Sequence, residues 1–274
     1  MMSYEESSAL YGRIESAIAE VFKSLDESYE KADILDASWA KVSLDSISRS
    51  CYRILRITAN QALYSRLKSG NLGNSPTKID LFFAMDDWKD TISYITNKIG
   101  VPITFDLPNC ASGVELDDQD FGSIFANILH NSLYFTRPGN EISVRGEIVS
   151  NFATLKITDK GMGISDDLLP KVTLPFVSHG EGERHEGMGL GLALCDMFMR
   201  SQNGNISIES RLGEGTSMKL TFPRKTNFSR SLSLRQSSGL MTSDQFSPLY
   251  IGILDASLSP YADRGDWVPG KVET

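Results

Sequence analysis

Two long stretches of helical periodicity open the chain. Across residues 5–36, Leu10, Ile14, Ala17, Ile18, Val21 and Leu25 recur with charged residues between them, the spacing of one face of an α-helix. Residues 41–68 repeat the pattern with Leu44, Ile47, Cys51, Ile54 and Leu55, continued by Ala59, Ala62 and Leu63. The connection over residues 36–40 is short, so the helices are expected to pack antiparallel as a hairpin. A lone hairpin leaves one flank of its stripe open. A second hairpin would cover it in a homodimeric four-helix bundle; folding back onto the rest of the chain would also cover it.

Gly70-Asn71-Leu72-Gly73-Asn74-Ser75-Pro76 is rich in turn formers and marks a boundary. Beyond it the pattern is mixed. Strands are expected over residues 78–82, 101–107, 141–149, 153–159, 205–210 and 217–222, with helices over 86–99, 118–135 and 189–201. Residues 160–186 read as loop. The fold class is therefore α+β: an N-terminal helical hairpin, dimeric as a four-helix bundle, followed by a two-layer α/β sandwich. Residues 224–247 are Ser-rich and carry Arg224, Lys225, Arg230 and Arg235 with no acid before Asp244, the composition of a disordered linker. Residues 248–261 regain apolar character and are expected to dock as a strand or short segment. The expected domains are a dimerisation hairpin (1–70), a linker (71–79), the sandwich (80–223) and a partly disordered tail (224–274).

Composition narrows the function classes. A chain of 274 residues with 41% hydrophobic and 23% charged residues fits about two soluble domains. The net charge of −8 argues against a general nucleic-acid partner. No run of 18 apolar residues occurs, so no membrane span is expected. The N-terminus is acidic and lacks an apolar signal core. Cys51, Cys110 and Cys195 are odd in number and far apart, which fits a reducing compartment. The expectation is a soluble, cytoplasmic protein whose input arrives through a partner or a bound ligand.

Three stretches carry candidate chemistry. Asp159-Lys160-Gly161-Met162-Gly163 follows a strand. Its glycines would let backbone approach a planar ligand while Asp159 accepts a hydrogen bond from an exocyclic amine; a tight turn with a solvated Asp is the plainer reading. Gly187-Met188-Gly189-Leu190-Gly191 opens a helix, where backbone N–H groups and the helix dipole suit an anion; the plainer reading is a Gly-rich helix start with its leucines in the core. No Walker A pattern occurs, and the Gly-rich run does not follow a strand as a dinucleotide fingerprint would. Asn127 and Asn131 lie four apart on one helical face. Amide oxygens suit a hard cation such as Mg²⁺ that also binds phosphate; two surface amides are the plainer reading for this element alone.

Their order is more specific than any one of them. Asn-x-x-x-Asn, Asp-x-Gly-x-Gly, Gly-x-Gly-x-Gly-Leu and then Gly213-Glu214-Gly215-Thr216 resembles the N, G1, G2 and G3 boxes of the histidine-kinase-type (GHKL) ATPase superfamily, and residues 80–223 resemble the ATP-binding domain of sensor histidine kinases. The resemblance implies ATP and Mg²⁺ as cofactors, with Asn131 ligating the metal and Asn127 near the phosphates. It implies that Asp159 reads adenine, that Gly161 and Gly163 shape that pocket, and that Thr216 supports it. Gly187, Gly189, Leu190 and Gly191 would form a lid hinge and phosphate contacts. Leu174-Pro175-Phe176 resembles the F box, with Phe176 at the base of a lid over residues 177–186. Asn at position 127, where gyrase-, chaperone- and anti-sigma-type members usually carry Glu, fits the kinase branch, because a neutral amide is no general base.

Sensor histidine kinases normally carry a phosphoacceptor His on the first hairpin helix. Here the three histidines are His130, His179 and His185, and none lies in residues 1–110. Thr173 and Tyr134 also depart from the family pattern, standing where an aromatic and a basic residue are common. Two functions follow from the resemblance: a histidine-kinase-type phosphotransferase acting on a response regulator or other signalling protein in trans, or an ATP-responsive pseudokinase that docks such a partner. On either, incubation with γ-labelled ATP alone should leave residues 1–70 without acid-labile, base-stable phosphate. Peptide mapping that finds such label there would mean that a nucleophile other than imidazole serves as acceptor.

Overall fold

The computed structural model describes residues 4–70, 78–177, 188–225 and 247–256. Helices α1 (Tyr4–Ile34) and α2 (Ser38–Ser69) form the expected antiparallel hairpin. Ile18, Phe22 and Leu25 of α1 are buried, as are Cys51, Tyr52 and Leu55 of α2. The Phe22 and Tyr52 rings meet at 4.7 Å between centroids. Ser7 and Ser65 share a hydrogen bond of 3.1 Å at the open end. Gly70 takes the left-handed conformation as C-cap of α2, its N–H bonded to the Leu67 carbonyl, which stops the helix where the turn-rich run begins.

Strand β1 (Lys78–Asp80) runs into α3 (Leu81–Lys98). The helix begins five residues earlier than periodicity suggested because Asp80 caps it, accepting from the Phe82 and Phe83 N–H groups. The same buried carboxylate accepts from the Ser112 N–H at 3.0 Å, the Ser112 hydroxyl at 2.8 Å and the Gly113 N–H at 3.1 Å. Asp80 thus ties a helix start to the loop before β3 (Glu115–Asp117), which pairs antiparallel with β1.

The remaining elements are β2 (Ile103–Asp106), α4 (Asp118–Phe135), β4 (Ile142–Val149), β5 (Phe152–Asp159), α5 (Gly191–Ser201), β6 (Asn205–Arg211), β7 (Gly215–Pro223) and α6 (Pro248–Ala256). A five-stranded sheet has the order β2-β4-β5-β7-β6. The β2–β4 pairing is parallel and the other three are antiparallel. Burial alternates along β4 and β5, as in a sheet with one face packed and one solvated. Ala153, Leu155 and Ile157 of β5 and Leu220 and Phe222 of β7 are fully buried. Against them pack α3, α4 and α5, with Trp88, Phe121 and Phe125 stacked together and Phe198 and Phe222 beside Phe121. This is the α+β architecture expected: a helical hairpin and a two-layer sandwich.

The hairpin folds back on the rest of the chain, the alternative to a second hairpin for covering its stripe, with α2 lying against α5 and α6. Residues 248–256 form a helix rather than a strand, wedged between α2 and α4. Every residue of α6 from Leu249 to Ala256 is buried. Among the described residues, no helix is long and apolar enough to cross a membrane.

Candidate functional site

Asp159 ends β5 on the buried face of the sheet. Its Oδ1 accepts the Gly161 N–H at 2.9 Å and the Thr216 N–H at 3.1 Å, so Oδ2 lies outside that pair of bonds. Thr216 stands opposite Asp159 in the β5–β7 register. Ser210 joins the cluster, its hydroxyl 2.9 Å from the Thr216 hydroxyl and accepting the Ile164 N–H at 2.9 Å.

The backbone around Asp159 is packed too closely for side chains. A Cβ on Gly161 would lie 2.8 Å from the Phe135 carbonyl oxygen, and one on Gly163 would lie 1.9 Å from that of Arg211. Gly163 also has φ of 69°, a conformation L side chains rarely adopt. The C-terminal end of α4, the turn after β5 and the β6–β7 turn therefore meet backbone to backbone.

Asn127 and Asn131 project from α4, and α5 begins directly over them. A Cβ on Gly191 would sit 3.3 Å from Asn127 Oδ1 and 3.7 Å from Asn131 Nδ2. Leu190 precedes the helix without a side-chain cap, which leaves first-turn N–H groups facing outward from α5. Gly189 has φ of 65° and its carbonyl accepts the Phe176 N–H at 3.0 Å. Phe176 itself has φ of 64°, a strained conformation for a bulky side chain that costs roughly 1–2 kcal/mol. Its ring is exposed on one side and meets Tyr64 of α2 edge-on at 5.9 Å.

Asp159, Gly161, Gly163, Thr216, Asn127, Asn131, Phe176, Gly189, Leu190 and Gly191 thus gather at one end of the sandwich, around the C-terminal half of α4. Gly187 and all of the expected 177–186 lid but Val177, including His179 and His185, lie outside the described residues.

Several residues at this end were not among those expected. Asn60 of α2 pairs with Asn127 through both amide groups, Nδ2 to Oδ1 in each direction, at 2.8 and 2.9 Å. Asn127 Nδ2 also donates to the Ser123 carbonyl at 3.1 Å. Arg66 of α2 pairs with the buried Asp120 at the start of α4. Asp255 of α6 accepts from Arg56 of α2 and from His130 Nε2 of α4 at 3.2 Å, with Arg53 Nε at 3.7 Å. Burial pushes the His130 imidazole below its ordinary value, and the Arg56 charge adds to this, so it is neutral at pH 7 and donates its proton to Asp255. Burial alone would raise the Asp255 carboxyl; the His130 hydrogen bond and the Arg56 charge and hydrogen bond outweigh it and hold the group at about 2. The one hint of these contacts in the sequence is spacing: Arg56, Asn60, Leu63 and Leu67 share a helical face.

The arrangement suits a nucleotide: it offers a buried carboxylate at a backbone-lined turn and an amide pair under a helix N-terminus. A cation here would take the Asn131 amide oxygen and rely on its ligand's phosphates for the rest.

Residues 116–226 match the family of histidine kinase-, DNA gyrase B-, and HSP90-like ATPases, and this part of the chain is an ATP-binding domain of histidine-kinase type. An uncharacterised sensor-like histidine kinase of Rhizobium meliloti is 31% identical over 48% of this chain and 26% of its own length. The histidine protein kinase DivJ of Caulobacter vibrioides is 33% identical over 45% of this chain and 21% of its own length. The chain therefore spans about a quarter of the length of the curated relatives it matches. Full-length ShkA, solved in complex with AMPPNP, shares the fold with a TM-score of 0.57 and 16% identity, over 80% of this chain and 47% of that one.

Burial raises the Asp159 carboxyl above its ordinary value, against the pull of the Gly161 and Thr216 N–H groups. A folded-state pKa above the unfolded one means that the folded chain holds the proton more tightly. Stability is then lost as the pH rises from the unfolded carboxyl range, about 3.9, through the raised value. Asp159→Asn keeps an oxygen for both N–H groups and removes the buried charge. Its melting temperature at pH 7 is expected to equal or exceed that of the wild type, with the margin shrinking as pH falls through the titration. Calorimetric scans across that range would test this; a variant several degrees less stable at pH 7 would show the ionised form to be a stabilising partner.

Proposed function

We propose that this chain is an ATP-binding, histidine-kinase-like signalling protein that uses Mg·ATP to phosphorylate a partner in trans. The observation that carries the reading is the meeting of Asp159, the Asn127–Asn131 face and the Gly191 helix start at one end of the sandwich. Asp159 accepts from the adenine amine, Gly161 and Gly163 shape the pocket by letting its backbone segments meet closely, and Thr216 fixes the carboxylate through its N–H. Asn131 ligates Mg²⁺, Asn127 lies beside the phosphates, and Gly189, Leu190 and Gly191 present N–H groups to them at a helix N-terminus. Phe176 anchors the base of a lid. Magnesium, when bound, offsets the negative charge of the phosphates. With no carboxylate in the Asn127 position, the chain supplies no general base there, so the partner's own nucleophile must attack.

Two observations favour a second reading, in which ATP controls docking of a signalling partner without phosphotransfer. No histidine lies in residues 1–110, and Asn127 is engaged by Asn60. Response regulators are the first partners to test for both readings, given the sensor-type kinases the chain resembles.

The hairpin supports a homodimer. Although α5 and α6 cover one flank of α2, Leu10, Val21, Ile47 and Ile54 remain 45%, 38%, 46% and 46% exposed, apolar side chains that a second hairpin would cover.

Calorimetric titration with Mg·AMPPNP should register binding by the wild type. Losing one hydrogen bond to a charged acceptor, roughly 1.5–3 kcal/mol, should weaken Asp159→Asn by about ten- to a hundredfold; unchanged affinity would remove the adenine assignment. Labelled phosphate passing from ATP to a response regulator only when this chain is present favours the kinase, and regulator binding without label favours the docking module. Light scattering is expected to report a dimer that becomes monomeric on Ile47→Glu with Ile54→Glu, and a monomeric wild type would defeat the bundle.

A further inference from the structure

The nucleotide reading gives Asn127 a place beside the phosphates, yet its amide is already committed. Both Nδ2 hydrogens are used, on Asn60 Oδ1 and the Ser123 carbonyl, and Oδ1 accepts from Asn60. Both side chains are buried. Asn127 cannot turn toward a ligand without leaving Asn60 unpaired, unless the hairpin moves away, because a buried amide stripped of its partner costs about 1–3 kcal/mol.

What keeps the hairpin there is α6. It touches α2 and α4 along its whole length, and Asp255 clasps both at once: Arg56 and Arg53 on one side, His130 on the other. His130 stands between the two asparagines, its ring stacked on Tyr134 at 5.7 Å. Tyr250 lies 6.5 Å from Tyr52 in the hairpin core. Gly252 crosses α4 so closely that a Cβ would come within 3.0 Å of the Ala126 carbonyl oxygen and 3.1 Å of the Ala126 Cβ. Among the described residues, a small cavity of about 20 Å³ is bounded by Arg56, Asn60, Asn127, Ile251 and Gly252, among others.

We propose that helix α6 is a latch that holds the hairpin on the nucleotide domain, keeps Asn127 on Asn60, and must release for Mg·ATP to bind fully. The inference rests on the nucleotide reading of the site and adds its regulation. The latch is all-or-none in character. Asp255 loosened from one arginine is still a buried carboxylate among unpaired partners, which is strongly unfavourable, so α6 leaves as a unit. Linkage makes the antagonism mutual: if α6 weakens nucleotide binding, nucleotide must weaken α6 docking by the same factor.

The test uses the full chain as wild type, Gly252→Leu and Asp255→Ala, two variants that attack the latch through unrelated contacts and leave the site residues intact. Hydrogen exchange at residues 248–256 reports the latch, and calorimetry with Mg·AMPPNP reports the site. Both variants are expected to exchange faster in α6 and to bind Mg·AMPPNP at least tenfold more tightly. Wild-type α6 is expected to exchange faster when nucleotide is added. Variants with a released α6 but an affinity within twofold of wild type would overturn the latch and leave the ATP site standing. Variants whose α6 stays protected would overturn it as well, since these contacts would then not hold the helix. No binding by the wild type or by either released variant would instead bring down the nucleotide reading and the latch with it.

Discussion

A buried amide has to find partners, and Asn127 finds one on the helical hairpin. That single requirement sets much of the architecture. Helix α4 is fixed on one face by Phe121, Ile124, Phe125 and Ile128, which are fully buried. Its other face carries Ser123, Asn127, His130 and Asn131, polar groups that a surface helix would leave to water. Here the hairpin and α6 cover that face. They satisfy it with an amide pair, an arginine–carboxylate contact and an imidazole–carboxylate contact. Polar contacts of this kind demand geometry that apolar packing does not, so they fix the position of α2 along α4 as well as its presence there.

The same face links the hairpin to the phosphate end of the site. Tyr64 meets Phe176, Asn60 meets Asn127, and Arg66 meets Asp120, all from one seven-residue stretch of α2. Any change in how α2 lies is therefore felt at the F-box phenylalanine, at the amide pair and at the start of α4 together. The hairpin's docking and the state of the site are one equilibrium in physical terms, with several contacts of modest strength acting in concert.

Much of this was legible in the residues. The 118–135 helix shows strong apolar periodicity, and its bounds in the structure are those expected. Strands β4 and β5 shift by a residue at one end, and the order of the glycine and asparagine boxes identified the domain. What was hidden depended on tertiary contacts. The early start of α3 follows from Asp80, whose partners Ser112 and Gly113 lie 32 and 33 residues away. Strand β3 is three residues long, too short for a period to register. Leu249-Tyr250-Ile251-Gly252-Ile253-Leu254 is uniformly apolar or small, and such a run cannot be assigned to strand or helix by periodicity; burial on every side, between α2 and α4, is what suits it to a short helix. Asn60 and Asp255 looked ordinary because their meaning lies wholly in what they touch across the domain boundary.

Strand β5 has one more consequence. Ala153, Leu155 and Ile157 face the core, and Asp159 is the next member of that alternating series. A slip of one residue in pairing with β7 would swing the carboxylate to the opposite side of the sheet and expose three apolar side chains at the same time. The aim of the Asp159 carboxylate is thus set by the oil-and-water sorting of the whole strand. Substitutions at plain aliphatic positions along β5 would therefore disturb the placing of Asp159 as well as the core.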